Sequence, residues 1–221
     1  DVYDRDFKMQ ARRHLHGPGA ERYIAKKFKL KDNDLTLIDW DSIDKSNRRL
    51  SNTKWATRSK YVFCWVYTNS RDNCFNPECT RLCPLCMNEV EDHHHVLNCN
   101  DVGAMNKREE LMEALEDDLN KIRTHPDIVT LLLRIMKVRQ YQRVLVDIAG
   151  HMNEEVLSSL LVTQGNIGWD KMRFGLWSTQ WRKVQAEYIE QRGLRRNPGT
   201  WAVEAQLAVW NYVRGSWQYR N

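Results

Sequence analysis

The run Cys83-Pro84-Leu85-Cys86-Met87-Asn88-Glu89-Val90-Glu91-Asp92-His93-His94-His95-Val96-Leu97-Asn98-Cys99 holds three of the chain's six cysteines and three of its seven histidines. Two cysteines separated by two residues make a tight knuckle, in which both thiolates turn to one point and backbone N–H groups face the sulfurs. His95 and Cys99 stand at i and i+4, which on a helix places them one turn apart on the same side. Three thiolates and one imidazole form the tetrahedral set preferred by structural Zn²⁺. The reading is one closed Zn²⁺ site on Cys83, Cys86, His95 and Cys99, with His94 as the rival nitrogen ligand because His-x4-Cys also occurs in such modules. Solvated histidines beside metal-free thiols would be an oxidation liability.

Cys74 and Cys79 precede the knuckle. They could build a second site with His93 or His94, or replace one of the four ligands, and their spacing does not decide between these. Cys64 lies on an apolar helix face and is expected as a packed core thiol. Five of six cysteines crowded within 26 residues beside three histidines point to metal binding in a reducing compartment rather than to a disulfide framework. An intracellular location, nuclear or cytoplasmic, is the expectation.

On either side of the cluster the spacing predicts helices and no strand of any length, an all-α multi-helix bundle with an embedded zinc knuckle. Two short helices separated by Gly17-Pro18-Gly19 are expected within residues 1–30, and Leu35 to Trp40 reads as a brief, extended stretch before a helix ending near Leu50. Trp55, Ser59, Val62, Phe63 and Val66 form one amphipathic stripe. After Cys99, a helix carries Met105, Leu111, Met112, Leu115, Leu119 and Ile122. Thr124 to Asp127 has the form of a capping box with Pro126 in the first turn, opening a long helix toward Ile148 that Gly150 breaks. A further helix covers about residues 153–162, Gly165 to Gly168 reads as a loop, and Ser178 is a good N-cap for the helix of Trp181 and Val184. Asn197-Pro198-Gly199 introduces a last helix through Trp201, Val209 and Val213. The expected division is 1–100, an N-terminal helical region ending in the knuckle (83–99), and 101–221, a C-terminal helical domain.

Nine Trp, eight Tyr and five Phe in 221 residues imply large buried rings, and most of the Trp recur at core-facing helical spacing. The net charge of +5 hides an uneven distribution. Residues 45–60 hold six basic side chains and no acidic one, residues 171–221 carry nine basic against three acidic, and residues 87–127 carry four against eleven. Basic regions draw phosphate backbones at long range, although a charge run is also what a solvated helix face looks like. Arg48, Arg49, Lys54 and Arg58, with Arg195 and Arg196, are the candidate phosphate contacts.

Several activities are excluded by missing motifs. There is no Gly-x4-Gly-Lys-Ser/Thr, Gly-x-Gly-x-x-Gly or Gly-x-Ser-x-Gly. A deaminase would need a His-x-Glu ahead of its Pro-Cys-x2-Cys, whereas here Pro84 follows Cys83. The acidic run from Glu109 to Asp118 reads as a helix face, not as paired catalytic carboxylates. Apolar runs reach about seven residues, short of the roughly 20 that span a bilayer, so no membrane segment is expected. The chain begins with Asp1 rather than Met, which suggests a piece of a longer polypeptide.

The knuckle Cys83-Pro84-Leu85-Cys86, followed by Glu91-Asp92 and His95-Val96-Leu97-Asn98-Cys99, resembles the zinc-binding region downstream of reverse transcriptase in many non-LTR retrotransposons and their derived genes. Ile38-Asp39-Trp40, the approach from Lys60 to Asn69, Ile167-Gly168-Trp169, Gly175 with Trp177-Ser178 and Trp181, and Trp217 with Arg220-Asn221 look like parts of the same reading frames. The triple histidine and the extra Cys74 and Cys79 depart from that pattern. The resemblance implies a noncatalytic C-terminal module that helps hold template RNA or target DNA, with polymerase and endonuclease domains upstream. The alternative is a zinc-fastened protein-interaction scaffold whose acidic 87–127 segment faces a basic partner.

Overall fold

The structure, a computed structural model, describes residues 18–63, 65–137 and 154–220. It is mostly helical. Among the described residues, β structure is limited to two isolated antiparallel bridges, Ile38 with Ser178 and Leu82 with Val90. No described helix is long and apolar enough to cross a membrane.

Helix α1 (Pro18–Phe28) begins on proline, whose missing N–H has no helical partner at that position anyway, so the Gly-Pro-Gly break is a helix entry. The helix expected before it, and Cys64, lie outside the described residues. A single turn, α2 (Asp32–Leu35), precedes α3 (Trp40–Arg48), which is capped by the Asp39 carboxylate accepting from the Ser42 N–H. Between them the stretch read as extended makes only a bridge: the Asp39 N–H donates to Trp177 O at 2.9 Å and the Thr179 N–H to Leu37 O at 2.8 Å.

Helix α4 (Asn52–Val62), capped by Ser51, is shorter than the predicted stripe. Phe63 closes it, and Val66 reaches the core from beyond its end. The positions it buries are Arg58 and Tyr61, while Trp55 and Ser59 are only half-buried. A short α5 (Asn69–Asn73), the cysteine hairpin and a 3₁₀ turn at His95–Leu97 lead to α6 (Val102–Lys121), capped by Asp101.

The expected capping box at Thr124 does not form. Helix α7 (Pro126–Lys137) follows His125, whose Nδ1 accepts from the Asp127 N–H at 3.0 Å; Thr124 Oγ1 instead accepts from the Trp201 indole at 2.9 Å. The continuation toward Ile148 and the break at Gly150 lie outside the described residues. Helix α8 (Glu154–Ile167) runs through the predicted Gly165 loop because its last turn is fully buried at Gln164 and Ile167. The Gln164 amide oxygen accepts from the Ser178 N–H and the Trp181 indole, both at 2.9 Å, and its nitrogen donates to Leu176 O at 3.1 Å. A side chain so committed holds the helix where glycine propensity alone would end it.

After a 3₁₀ turn (Asp170–Phe174), α9 (Thr179–Gln191) follows Ser178, which occupies the N-cap position without making a side-chain cap bond. Helix α10 (Pro198–Arg220) is the central element and packs on α6, α3 and α9. The main core joins Tyr61, Val66 and Leu97 to Leu115, Ile135 and Val213, so it runs across residue 100. Trp169, Trp177, Trp181, Trp201 and Trp210 are buried in it, as large rings at helical spacing should be.

Gly175 turns the chain at φ +89°, and a Cβ there would sit 2.8 Å from Arg58 Nη2. Gly175→Ala is therefore expected to destabilise the fold by at least about 1–2 kcal/mol from the left-handed backbone alone, with guanidinium displacement added. A lower urea midpoint at unchanged m-value is the readout; an unaltered midpoint would contradict the close approach.

Candidate metal centre

The Cys83–Cys86 segment is the turn of a small hairpin. The Cys83 N–H donates to Glu89 O, the Glu91 N–H to Arg81 O and the Met87 N–H to Cys83 O, each at 2.8 Å, and Met87 closes the turn at φ +51°. The second half is built by Asp92, whose Oδ1 accepts the His94 and His95 N–H groups at 2.9 and 2.7 Å. This starts the 3₁₀ turn that buries His95 and leaves His94 exposed. Cys99 follows, its carbonyl accepting from Arg108 of α6. His95 and Cys99 therefore do not share an α-helical turn as the i, i+4 spacing suggests, since the 3₁₀ turn ends at Leu97.

The structure brings Cys83, Cys86, His95 and Cys99 together with their ligand atoms all within 4.8 Å of one another, a group that could hold a metal ion. Cys83 Sγ lies 3.7 Å from Cys99 Sγ, and Cys86 Sγ lies 3.5 Å from His95 Nε2. Tetrahedral angles at ordinary Zn–S and Zn–N bond lengths require about 3.8 Å between two sulfurs and about 3.5 Å between sulfur and nitrogen. The other ring nitrogen of His95, Nδ1, lies 3.3 Å from Glu89 Oε2, the kind of outer carboxylate that orients a ligating imidazole. Cys83 and Cys99 are 1% exposed and His95 is 7% exposed, so the group is closed to all but the Cys86 side.

The thiols differ in acidity. Burial pushes Cys99 up to about 12. On Cys86 burial acts in the same direction, but the N–H groups of Asn88 and Glu89, with the Cys99 and Cys83 thiols, outweigh it and hold the group at about 7. Of these two thiols, Cys86 is the closer to its thiolate form at neutral pH.

His94 stands outside this group, its ring 4.1 Å from that of His93. Cys74 is exposed and donates to Ser70 O, and Cys79 is half-buried. Among the described residues no second group of metal-ligating side chains forms.

The hairpin is tied to the far end of the chain in a way that spacing does not disclose. Glu91 is fully buried, and its two carboxylate oxygens accept from Nε and Nη2 of Arg220. The Asn69 N–H donates to the same carboxylate at 2.6 Å, the Asn69 amide oxygen accepts from Arg220 at 3.1 Å, and its nitrogen donates to Leu82 O at 2.6 Å. A bidentate guanidinium–carboxylate pair is both strong and directional, so the last turn of α10 is fastened to the strand-like arm beside Cys83. A buried acid in a polar run carries no periodic signal, and no spacing rule links position 91 to 220.

The candidate phosphate contacts separate into two kinds. Arg48 is well exposed beside Asp44 at 2.5 Å, and Lys54 and Arg195 are exposed. Arg49 and Arg196 both pair with Glu204, which brings the two basic segments next to each other. Arg58 is a correction: it is 4% exposed and donates to Ser46 Oγ at 2.9 Å, because the inward face of α4 falls at Arg58 and Tyr61. It is not a surface phosphate contact. No protein-family model, no curated protein and no solved structure matches the chain.

Proposed function

We propose that this chain is a zinc-stabilised helical bundle without chemistry of its own, which holds nucleic acid as the C-terminal module of a retrotransposon-type protein. Zn²⁺ is the ion that three thiolates and one imidazole at tetrahedral spacing favour, and four protein ligands leave no open position for a reacting water. The observation that carries the nucleic-acid reading is a surface ladder. The Arg71 guanidinium stands 5.9 Å from the Trp65 ring centroid and 5.8 Å from that of Phe75, and the two rings are 56% and 77% exposed. Tyr67, 53% exposed, lies beneath Arg220 at 5.4 Å. Large aromatic faces left in water beside arginines suit stacking of unpaired bases with phosphates held alongside. Arg48, Arg49, Lys54, Arg195 and Arg196 then supply the sequence-independent part of the attraction.

The test is fluorescence anisotropy with single-stranded RNA and DNA oligonucleotides across a salt series. Trp65→Ala and Phe75→Ala are each expected to lose about 1–3 kcal/mol of binding, and affinity should fall steeply with salt. Absence of binding at low salt would defeat the reading. It would favour a protein-interaction scaffold, for which the exposed carboxylates of Glu109, Glu110, Glu113 and Glu116 on α6 offer an acidic face to a basic partner.

A further inference from the structure

Helices α1, α3 and α4 and the turn at Phe174–Leu176 enclose an open cleft of about 330 Å³. Its lining is largely apolar and aromatic, including Ile24, Trp40, Trp55 and Phe174, and it includes the withdrawn Arg58. Among the described residues Arg58 shows one hydrogen bond, from Nη1 to Ser46 Oγ, and no ion pair. Burial brings the guanidinium down to about 10, so it remains charged at neutral pH. A buried charge is costly unless a counter-charge or several acceptors meet it.

The acids around the cleft do not meet it. Asp41 is paired with Lys45 at 2.8 Å and Arg182 at 3.4 Å, and Asp44 with Arg48 at 2.5 Å. Glu21 lines the α1 wall without an ion pair to Arg58. Arg58 also borders a hollow of about 10 Å³ in which Gln206 Nε2 and Trp210 Nε1 are buried donors without an acceptor. A space of that size holds about one water molecule, which can accept hydrogen bonds but cannot neutralise a cation.

We propose that the cleft is a binding site for a small organic carboxylate, with the carboxylate on the Arg58 guanidinium and an apolar or aromatic body against the Trp40 and Trp55 walls. The Arg58 guanidinium, which no acid of the cleft pairs with, matches a carboxylate monoanion, its planar fork fitting the planar carboxylate. An inorganic ion would leave the aromatic walls unused. The volume lies at the lower end of the roughly 300–1,000 Å³ typical of ligand pockets, so a single-ring ligand fits.

Isothermal titration of the full chain with benzoate, benzamide and inorganic phosphate tests this. Benzoate is expected to bind more tightly than benzamide by about ten- to hundredfold, the range for a hydrogen bond to a charged group, and Arg58→Gln should reduce it to the benzamide level. Because that substitution also removes the bond to Ser46, Ser59→Trp serves as a second variant: it fills the cleft from a half-buried position with Arg58 intact, and should abolish benzoate binding at unchanged helical circular dichroism. The proposal is overturned by any of four results: no saturable benzoate binding, equal affinity for benzamide, phosphate binding tighter than benzoate, or binding that survives Ser59→Trp in a folded protein.

Discussion

Under the proposed zinc assignment, replacing Cys83 with serine is expected to abolish metal binding and to unfold the hairpin and 3₁₀ turn while most of the helical core persists. The reason is the small amount of apolar packing available there. Cys83, Cys99 and Ala104, with Leu85 and Cys86 at their margin, form a cluster separate from the main core, and the ligands themselves supply most of it. Zinc binding in comparable small modules is worth about 10–16 kcal/mol and is coupled to folding, whereas a whole domain is stable by only about 5–15 kcal/mol. The main core holds Leu97 but otherwise draws on Tyr61, Val66 and the helices from α6 onward, so it has its own source of stability. Hydrogen exchange should show amides of the region around 81–99 losing protection in Cys83→Ser or in strong chelator, with α10 still protected. Acid should act similarly: Cys99, pushed up to about 12, must lose its proton to bind metal, so affinity falls as pH is lowered. A purified protein without stoichiometric metal, whose melting is indifferent to chelator, would sink the zinc assignment.

Truncating Arg220 to alanine comes second in expected effect. Glu91 is fully buried and Arg220 is 8% exposed at its side chain, and removing one partner of a buried pair leaves an uncompensated charge that costs about 3–5 kcal/mol. For a chain of this size each kcal/mol lowers the melting temperature by about 2–4 °C. Glu91→Gln should cost less, because Arg220 lies in the last turn of α10 and can turn to water. The double variant Glu91→Gln/Arg220→Met should be markedly less harmful than the sum of the single ones, since no charge is then stranded. Additive losses in thermal unfolding would show that the two side chains are not coupled.

Legibility from the residues varied with the range of the interaction. The Cys-x2-Cys knuckle is local, and the four residues singled out from spacing are the ones the fold assembles; His95 rather than His94 faces the thiols because Asp92 caps a 3₁₀ turn, a detail below the resolution of a ligand pattern. The last helix was readable from Pro198 and the repeat of Trp201, Val209 and Val213. By contrast, Gly165-Asn166 looked like a loop, and the α8 helix passes through it because Gln164 is held by Ser178, Trp181 and Leu176 from across the fold. Thr124 looked like a cap and became a partner of Trp201. In each case a long-range bond outweighed a local preference of about 1 kcal/mol.

Helical class, the grouping of Cys83, Cys86, His95 and Cys99 and the uneven charge follow from composition and short-range spacing, since each depends on residues a few positions apart. Which arginine lies at the surface and which is a buried cation depends on the rotation of α4 against α3 and the Phe174–Leu176 turn. The same holds for the meeting of Glu91 with Arg220 and of Arg49 with Arg196 at Glu204. These are contacts between segments up to 155 positions apart, and only packing, where burial makes every polar group find a partner or carry a cost, brings them together.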